Sequence, residues 1–213
     1  MAGLFRQHSG AERLADGIVH AVGILASLVG VAVLLAVALP RLNAASGTGL
    51  AIYGVTLIGM FSASAAYNLV PNWKPALRRL DQAAIFMKIA GTYTPLVIVI
   101  SGLFAYAVLA AVWVAALAGG LVKLALGPRF DRLTVPFYLT LGWASLLLAW
   151  PIFATLPLSA ALLLVAGGLL YSVGVVFHLW DRLAFQNAIW HGFVLAAAAC
   201  HFTAISVASL SAV

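Results

Sequence analysis

Seven long apolar segments follow one another along this chain, and they restrict its possible folds more than any other feature. They cover about residues 17–39, 48–70, 82–99, 104–126, 135–150, 158–179 and 188–208. Each is close to the ~20 residues that a helix needs to cross a bilayer. Only 8% of the residues are charged and 65% are hydrophobic, whereas a soluble domain has about 25% charged residues. The sequence therefore predicts an all-α fold, an integral membrane bundle of seven transmembrane helices.

Positive charges near the ends of the segments predict how the bundle is oriented. The chain has 11 Lys and Arg residues; without Lys88, which lies inside a segment, nine fall on one side and only Arg41 on the other. The nine are Arg6, Arg13, Lys74, Arg78, Arg79, Lys123, Arg129, Arg132 and Arg182. Positive charges collect on cytoplasmic loops, so we expect a cytoplasmic N-terminus and a C-terminus outside. Residues 1–16 would be a cytoplasmic segment and residues 17–213 one domain of the plasma (inner) membrane.

Polar side chains inside membrane segments are costly and usually functional. The predicted topology places many of them in the cytoplasmic half of the bundle. They are Glu12, Asp16 and His20 near the first segment, Ser64, Tyr67 and Asn68 in the second, Asp81 before the third, and Asn187 and His191 in the seventh. Four helices would thus bring carboxylates, amides and imidazoles to one level. The net charge of +6 is explained by this topology, so we expect a membrane lipid as the partner and not a nucleic acid.

Several of these residues also have structural interpretations that the sequence leaves open. Glu12 could be a solvated acid, and Asp16 could cap the start of a helix. His20 and His201 could form hydrogen bonds between helices in the core. Tyr67 could be an anchor at the membrane interface.

Lys88 is the most unusual residue of the chain. A lysine inside a membrane span costs about 2.5–3.5 kcal/mol. By helix rise it lies about 10 Å deeper than Asp81. We expect it to pair with a carboxylate, either Asp81 or Asp16; the alternative is that burial leaves the amine neutral.

Short motifs are spread over nearly the whole chain. They are residues 12–23 (ERLADGIVHAVG), 64–68 (SAAYN), 79–81 (RLD), 89–95 (IAGTYTP), 188–191 (AIWH) and 200–202 (CHF). In this order they resemble the hemolysin III family, the bacterial branch of the progestin and adipoQ receptor group. The resemblance implies seven helices with a cytoplasmic N-terminus. From the receptor branch it implies a zinc ion that is held by one histidine of the second helix and two of a His-x-x-x-His motif in the seventh.

The chain departs from this implied zinc site at two positions. The resemblance assigns His191 as one ligand, but Asn68 and Asn187 occupy the other two ligand positions. Carboxamide oxygen is a poor zinc ligand compared with neutral imidazole. We therefore expect a degenerate, metal-poor or metal-free polar network, in which the ammonium group of Lys88 supplies the positive charge of the missing metal.

Three functions follow from these observations. The first is a hemolysin III-like membrane protein that acts in lipid homeostasis or sensing without a catalytic metal. The second is a zinc-dependent hydrolase of a lipid amide or ester, for which the resemblance implies Asp81 and Ser64 as catalytic residues. The third is a channel or pore-forming protein that uses intramembrane ionisable residues such as Asp16, His20 and Lys88.

Overall fold

The computed structural model describes residues 9–70, 72–127 and 131–211, which form a bundle of α-helices. The helices are α1 (Gly10–Ala38), α2 (Ala44–Leu69), α3 (Lys74–Ile100), α4 (Leu103–Leu126), α5 (Asp131–Trp143), α6 (Ala149–Thr155), α7 (Leu158–His178) and α8 (Gln186–Ser211). A 3₁₀ segment, Ala144–Leu148, joins α5 to α6, and the three pieces together supply the fifth span, Leu133–Thr155. The described residues thus contain seven helical stretches long and apolar enough to cross a membrane. The predicted all-α bundle of seven spans is confirmed.

The first helix begins at Gly10 and not near residue 17, because a capping box starts it. The Ser9 hydroxyl accepts a hydrogen bond from the Glu12 backbone N–H (3.2 Å), and the Glu12 carboxylate accepts one from the Ser9 N–H (2.7 Å). Such reciprocal bonds satisfy the free donors at a helix start. Glu12 is only 7% exposed, so the interpretation of Glu12 as a solvated acid is wrong. Asp16 lies inside α1 and is not its cap.

The third and seventh spans also begin earlier than hydropathy predicts, and both have a polar first turn. The third begins at Lys74 with a proline in its first turn, where the fixed φ of proline favours a helix start. The seventh span begins at Gln186. Because the first turns of both helices are polar, a search for apolar segments places their first residues too late. Arg6 and Arg129, which contributed to the predicted orientation, lie outside the described residues.

The third helix lies at the centre of the bundle and packs against α2, α4 and α8, while α7 packs closely on α8. It is the most buried of the seven spans, and the fifth span is the least buried. Glycine lets α2 and α3 approach closely, since a Cβ atom at Gly91 would lie 2.1 Å from the Thr56 Oγ1 atom. Small residues commonly permit such contacts between membrane helices.

We expect Gly91→Ala to destabilise the bundle by about 1–3 kcal/mol, because the added methyl group overpacks the contact between α2 and α3. Unfolding of the purified protein in detergent, followed by circular dichroism, measures the change. Gly59→Ala is the matched control, since a Cβ atom there meets nothing within 4 Å. Equal stability of the two variants would show that α2 and α3 are not in this contact.

Candidate polar site

The polar residues of four helices meet at one end of the bundle. We call it the polar end; it is where α1, α3 and α8 begin and where α2 and α7 end. Its central contact joins α1 to α8: the His191 Nδ1 atom lies 2.6 Å from the Asp16 Oδ1 atom. The His20 Nδ1 atom lies 2.8 Å from the Asp16 carbonyl oxygen. The two imidazole rings are in edge contact, with centroids 4.3 Å apart.

These contacts define the tautomers of the two histidines. A carboxylate or carbonyl oxygen only accepts hydrogen bonds, so the Nδ1–H group donates in both rings. The Nε2 atoms of His20 and His191 lie 3.2 Å and 3.5 Å from the Ser64 hydroxyl oxygen. Asp81 also interacts with the Ser64 hydroxyl and is close to His191. Ser64 is therefore the meeting point of helices α1, α2, α3 and α8.

Other predicted site residues occupy supporting positions at the polar end. The Asn68 side-chain amide donates a hydrogen bond to the Ser64 carbonyl within α2 (2.9 Å). Glu12 accepts a hydrogen bond from the Phe185 backbone N–H (2.9 Å), which fixes the start of α8 against α1. The Tyr67 ring lies 5.2 Å from the Lys74 ammonium.

A cavity of about 490 Å³ extends from the polar end into the bundle. At the polar end its walls carry Ser64, Asn68, Asp81, Asn187 and His191, and most of the remaining walls are apolar side chains of α3, the fifth span and α7. Binding sites for small molecules typically have a volume of about 300–1,000 Å³ and mostly apolar walls with a few polar groups. The cavity therefore has the size and polarity of a ligand site.

Lys88 lines the same cavity, farther along α3. Its ammonium nitrogen lies 3.5 Å from the His201 Nδ1 atom and 4.8 Å from the centre of the Tyr171 ring. Within residues 9–70, 72–127 and 133–211, no acidic side chain forms an ion pair with it. The predicted pairing with Asp81 or Asp16 is therefore wrong: Asp81 lies two helical turns away, and Asp16 is engaged by His191.

Among the described residues, Lys88 consequently forms no hydrogen bond with His191 at the predicted metal position. Its polar contacts belong to a second, deeper cluster with His201 and Tyr171. Sequence reasoning missed Tyr171, because a single tyrosine in an apolar helix has the pattern of an interface residue. It also missed Arg78, which lines the cavity at the polar end.

These features define a class, a seven-helix membrane protein with a histidine–aspartate–serine site beside a large, mostly apolar cavity. Comparison with known proteins gives the family. A model of the family described as "Haemolysin-III related" matches residues 11–202, and the chain belongs to this family.

Curated relatives agree with this assignment. The chain is 34% identical over 194 residues to the "Hemolysin-3 homolog" of Bacillus subtilis (strain 168), which covers 90% of this chain and 91% of that protein. It is also 34% identical to the "Hemolysin-3" of Bacillus cereus, over 90% of this chain and 89% of that protein. The human "Monocyte to macrophage differentiation factor" is 32% identical over 163 residues, 72% of this chain and 67% of that protein. No solved structure matches the chain significantly.

The donor atoms of this chain do not fit the three-histidine zinc site that the resemblance implies. Only His191 provides an imidazole at those positions, and the carboxamide oxygens of Asn68 and Asn187, which stand at the other two, are poor zinc ligands. A different group could hold a metal ion, since Asp16, His20 and His191 each bring one ligand atom to within 4.8 Å of the others. In the structure, however, these three residues bond to one another directly.

Proposed function

We propose that this chain is a plasma-membrane protein that binds a membrane lipid and acts in lipid homeostasis or sensing, without catalytic zinc. The observation that carries the proposal is the state of His191, the remaining histidine of the implied zinc site. Its Nδ1–H group donates to Asp16 at 2.6 Å, while Asn68 and Asn187 take the other two positions. Hydrogen bonds between side chains thus hold these helices together in place of a metal ion.

The cavity supports the binding part of this proposal. The polar end carries hydrogen-bond donors of two kinds, the neutral amides of Asn68 and Asn187 and the charged guanidinium of Arg78. A lipid headgroup would lie there, at the predicted cytoplasmic face. The apolar walls between α3, the fifth span and α7 suit a hydrocarbon chain, because burial of apolar surface drives its entry. Since the fifth span is the least buried of the seven, it is the span whose displacement would admit a lipid most easily.

A zinc-dependent hydrolase is the second candidate, and one observation favours it. One carboxylate and two imidazoles, those of Asp16, His20 and His191, lie close together. Catalytic zinc sites also have three protein ligands of these kinds. His20 also gives its other ring N–H to a backbone carbonyl oxygen, as metal-binding histidines commonly do. Zinc would supply Lewis acidity there, and Asp81 would be the base for cleavage of a lipid amide or ester.

An assay that measures binding and cleavage together separates the two candidates. The purified protein is incubated with an isotopically labelled lipid amide, and with the corresponding ester, in the presence of added zinc. We expect the lipid to bind and to be recovered intact, because the zinc site of the family is incomplete. Release of labelled fatty acid that is abolished by a chelator and by Asp81→Asn would overturn this proposal in favour of the hydrolase.

A further inference from the structure

We propose that Lys88 and Tyr171, positioned by His201, form a site for the carboxylate of a long-chain fatty acid, deeper in the cavity than the polar end. This inference rests on the proposed lipid-binding function and specifies the ligand class. It concerns residues outside the zinc positions that the family resemblance implies.

The first argument is the charge of Lys88. Its side chain is 3% exposed, and its polar contacts are with an imidazole nitrogen and an aromatic ring. A buried ammonium group is strongly destabilised unless it is paired with an anion, and the alternative without an anion is a neutral amine. No acidic side chain among residues 9–70, 72–127 and 133–211 provides that anion. Because Lys88 lines the cavity, an anionic ligand in the cavity can reach it.

The second argument is the Tyr171 hydroxyl group. It is buried and has no hydrogen-bond partner among the described residues, although buried tyrosine hydroxyls usually find one. Tyr171 lines the same cavity as Lys88, and its ring lies beside the Lys88 ammonium. Both side chains therefore border the same cavity, and an acceptor group bound there would give the hydroxyl its missing partner.

His201 has a positioning role in this cluster. Its Nε2–H group donates to the Leu164 carbonyl of α7 (3.3 Å), so its Nδ1 atom is the acceptor that faces Lys88. The ring lies directly against Gly167, where a Cβ atom would be 2.3 Å from the His201 Cδ2 atom. The absence of a side chain at Gly167 thus lets α7 hold the imidazole that orients the lysine.

The donor set selects a carboxylate. A carboxylate carries one negative charge and two acceptor oxygens, which match one ammonium and one hydroxyl donor. A phosphate dianion would leave one charge unpaired in an apolar surrounding, and a neutral ester would leave the ammonium without a counter-ion. The mostly apolar walls of the 490 Å³ cavity accommodate the hydrocarbon chain.

Binding of two matched probes tests the proposal. The full-length protein in phosphatidylcholine nanodiscs is titrated with radiolabelled oleate and with oleyl alcohol, which has the same chain and no carboxylate. Empty nanodiscs give the background partitioning. We expect the wild-type protein to prefer oleate by about 10-fold or more, because charge-assisted hydrogen bonds contribute about 1.5–3 kcal/mol.

The variants assign this preference to the two donors. Lys88→Met is expected to lower oleate affinity about 10-fold and to leave oleyl alcohol affinity within about 2-fold, while Lys88→Arg retains most of the preference. Tyr171→Phe is expected to lower oleate affinity about 3-fold. Lys123→Met is the matched control, because Lys123 is a buried lysine of α4 (2% exposed) that does not line the cavity.

The outcomes separate this inference from the proposed function. If the wild-type protein binds neither probe above the background, both fail. If it binds oleate and oleyl alcohol equally and Lys88→Met changes neither, lipid binding stands and the carboxylate site is refuted. Should Lys88→Met not fold, a wild-type preference below about 2-fold, or an unchanged preference in Tyr171→Phe, refutes the site.

Discussion

Replacing Asn68 and Asn187 together by histidine should produce a protein that retains about one zinc ion per chain through purification, since three imidazoles can complete a zinc site. The double change restores the donor set that the family resemblance implies around His191. Both asparagines and His191 already line the same cavity, and Asn187 and His191 lie one helical turn apart on α8. Elemental analysis of the dialysed protein measures the gain.

Partial variants test whether the new zinc occupies the expected position. Asn68→His and Asn187→His alone should each retain less zinc than the double variant, because each provides only two of the three imidazoles. Adding His191→Ala to the double variant should abolish the tight zinc. If the double variant is folded but retains no zinc, the three positions do not converge on one point. The interpretation of the site as a zinc site with two ligands replaced is then wrong.

Asp16→Ala is expected to have the largest effect on stability at the polar end, a loss of about 2–3 kcal/mol. The substitution removes the acceptor of the 2.6 Å contact with His191 and leaves a partly buried N–H group of that imidazole without its partner. Asp16→Asn should cost less, since an amide oxygen still accepts the hydrogen bond without the charge. The unfolding free energy in detergent, followed by circular dichroism, measures both losses.

Two comparisons make the Asp16 measurement specific. Asp181→Ala removes the same kind of side chain from an exposed position before α8, where solvent weakens electrostatic interactions, so its effect should be smaller than that of Asp16→Ala. A double-mutant cycle of Asp16→Ala with His191→Ala should give a coupling energy of about 1–3 kcal/mol. Independent effects of the two substitutions would contradict a direct bond between α1 and α8 as the centre of the network.

The fold was predictable because bilayer thickness and hydropathy impose it. Long apolar segments must become helices in a membrane, and helical spacing alone brings Asp16 and His20 to one stripe. Topology then places Ser64, Asp81 and His191 at the same end. The structure brings these residues together, with His20 and His191 meeting at the Ser64 hydroxyl.

The contact partners of individual side chains and the first residues of the helices were less predictable. The capping box of Ser9 and Glu12 was visible as an S-x-x-E pattern, but hydropathy gives such polar turns no weight. The partner of Lys88 depended on which faces α3, α7 and α8 turn toward one another. No spacing along the chain reveals that Gly167 brings His201 close enough to contact the lysine. Long-range packing of this kind is determined by the tertiary structure and not by local pattern.

The metal content of the wild-type protein, expressed with added zinc and purified without chelator, tests the central proposal most directly. A hydrogen-bonded network without catalytic zinc predicts far less than one zinc ion per chain, and a value that His191→Ala leaves unchanged. About one tightly bound zinc ion per chain, lost in both His191→Ala and His20→Ala, would contradict it. That result would instead identify Asp16, His20 and His191 as a three-ligand metal centre.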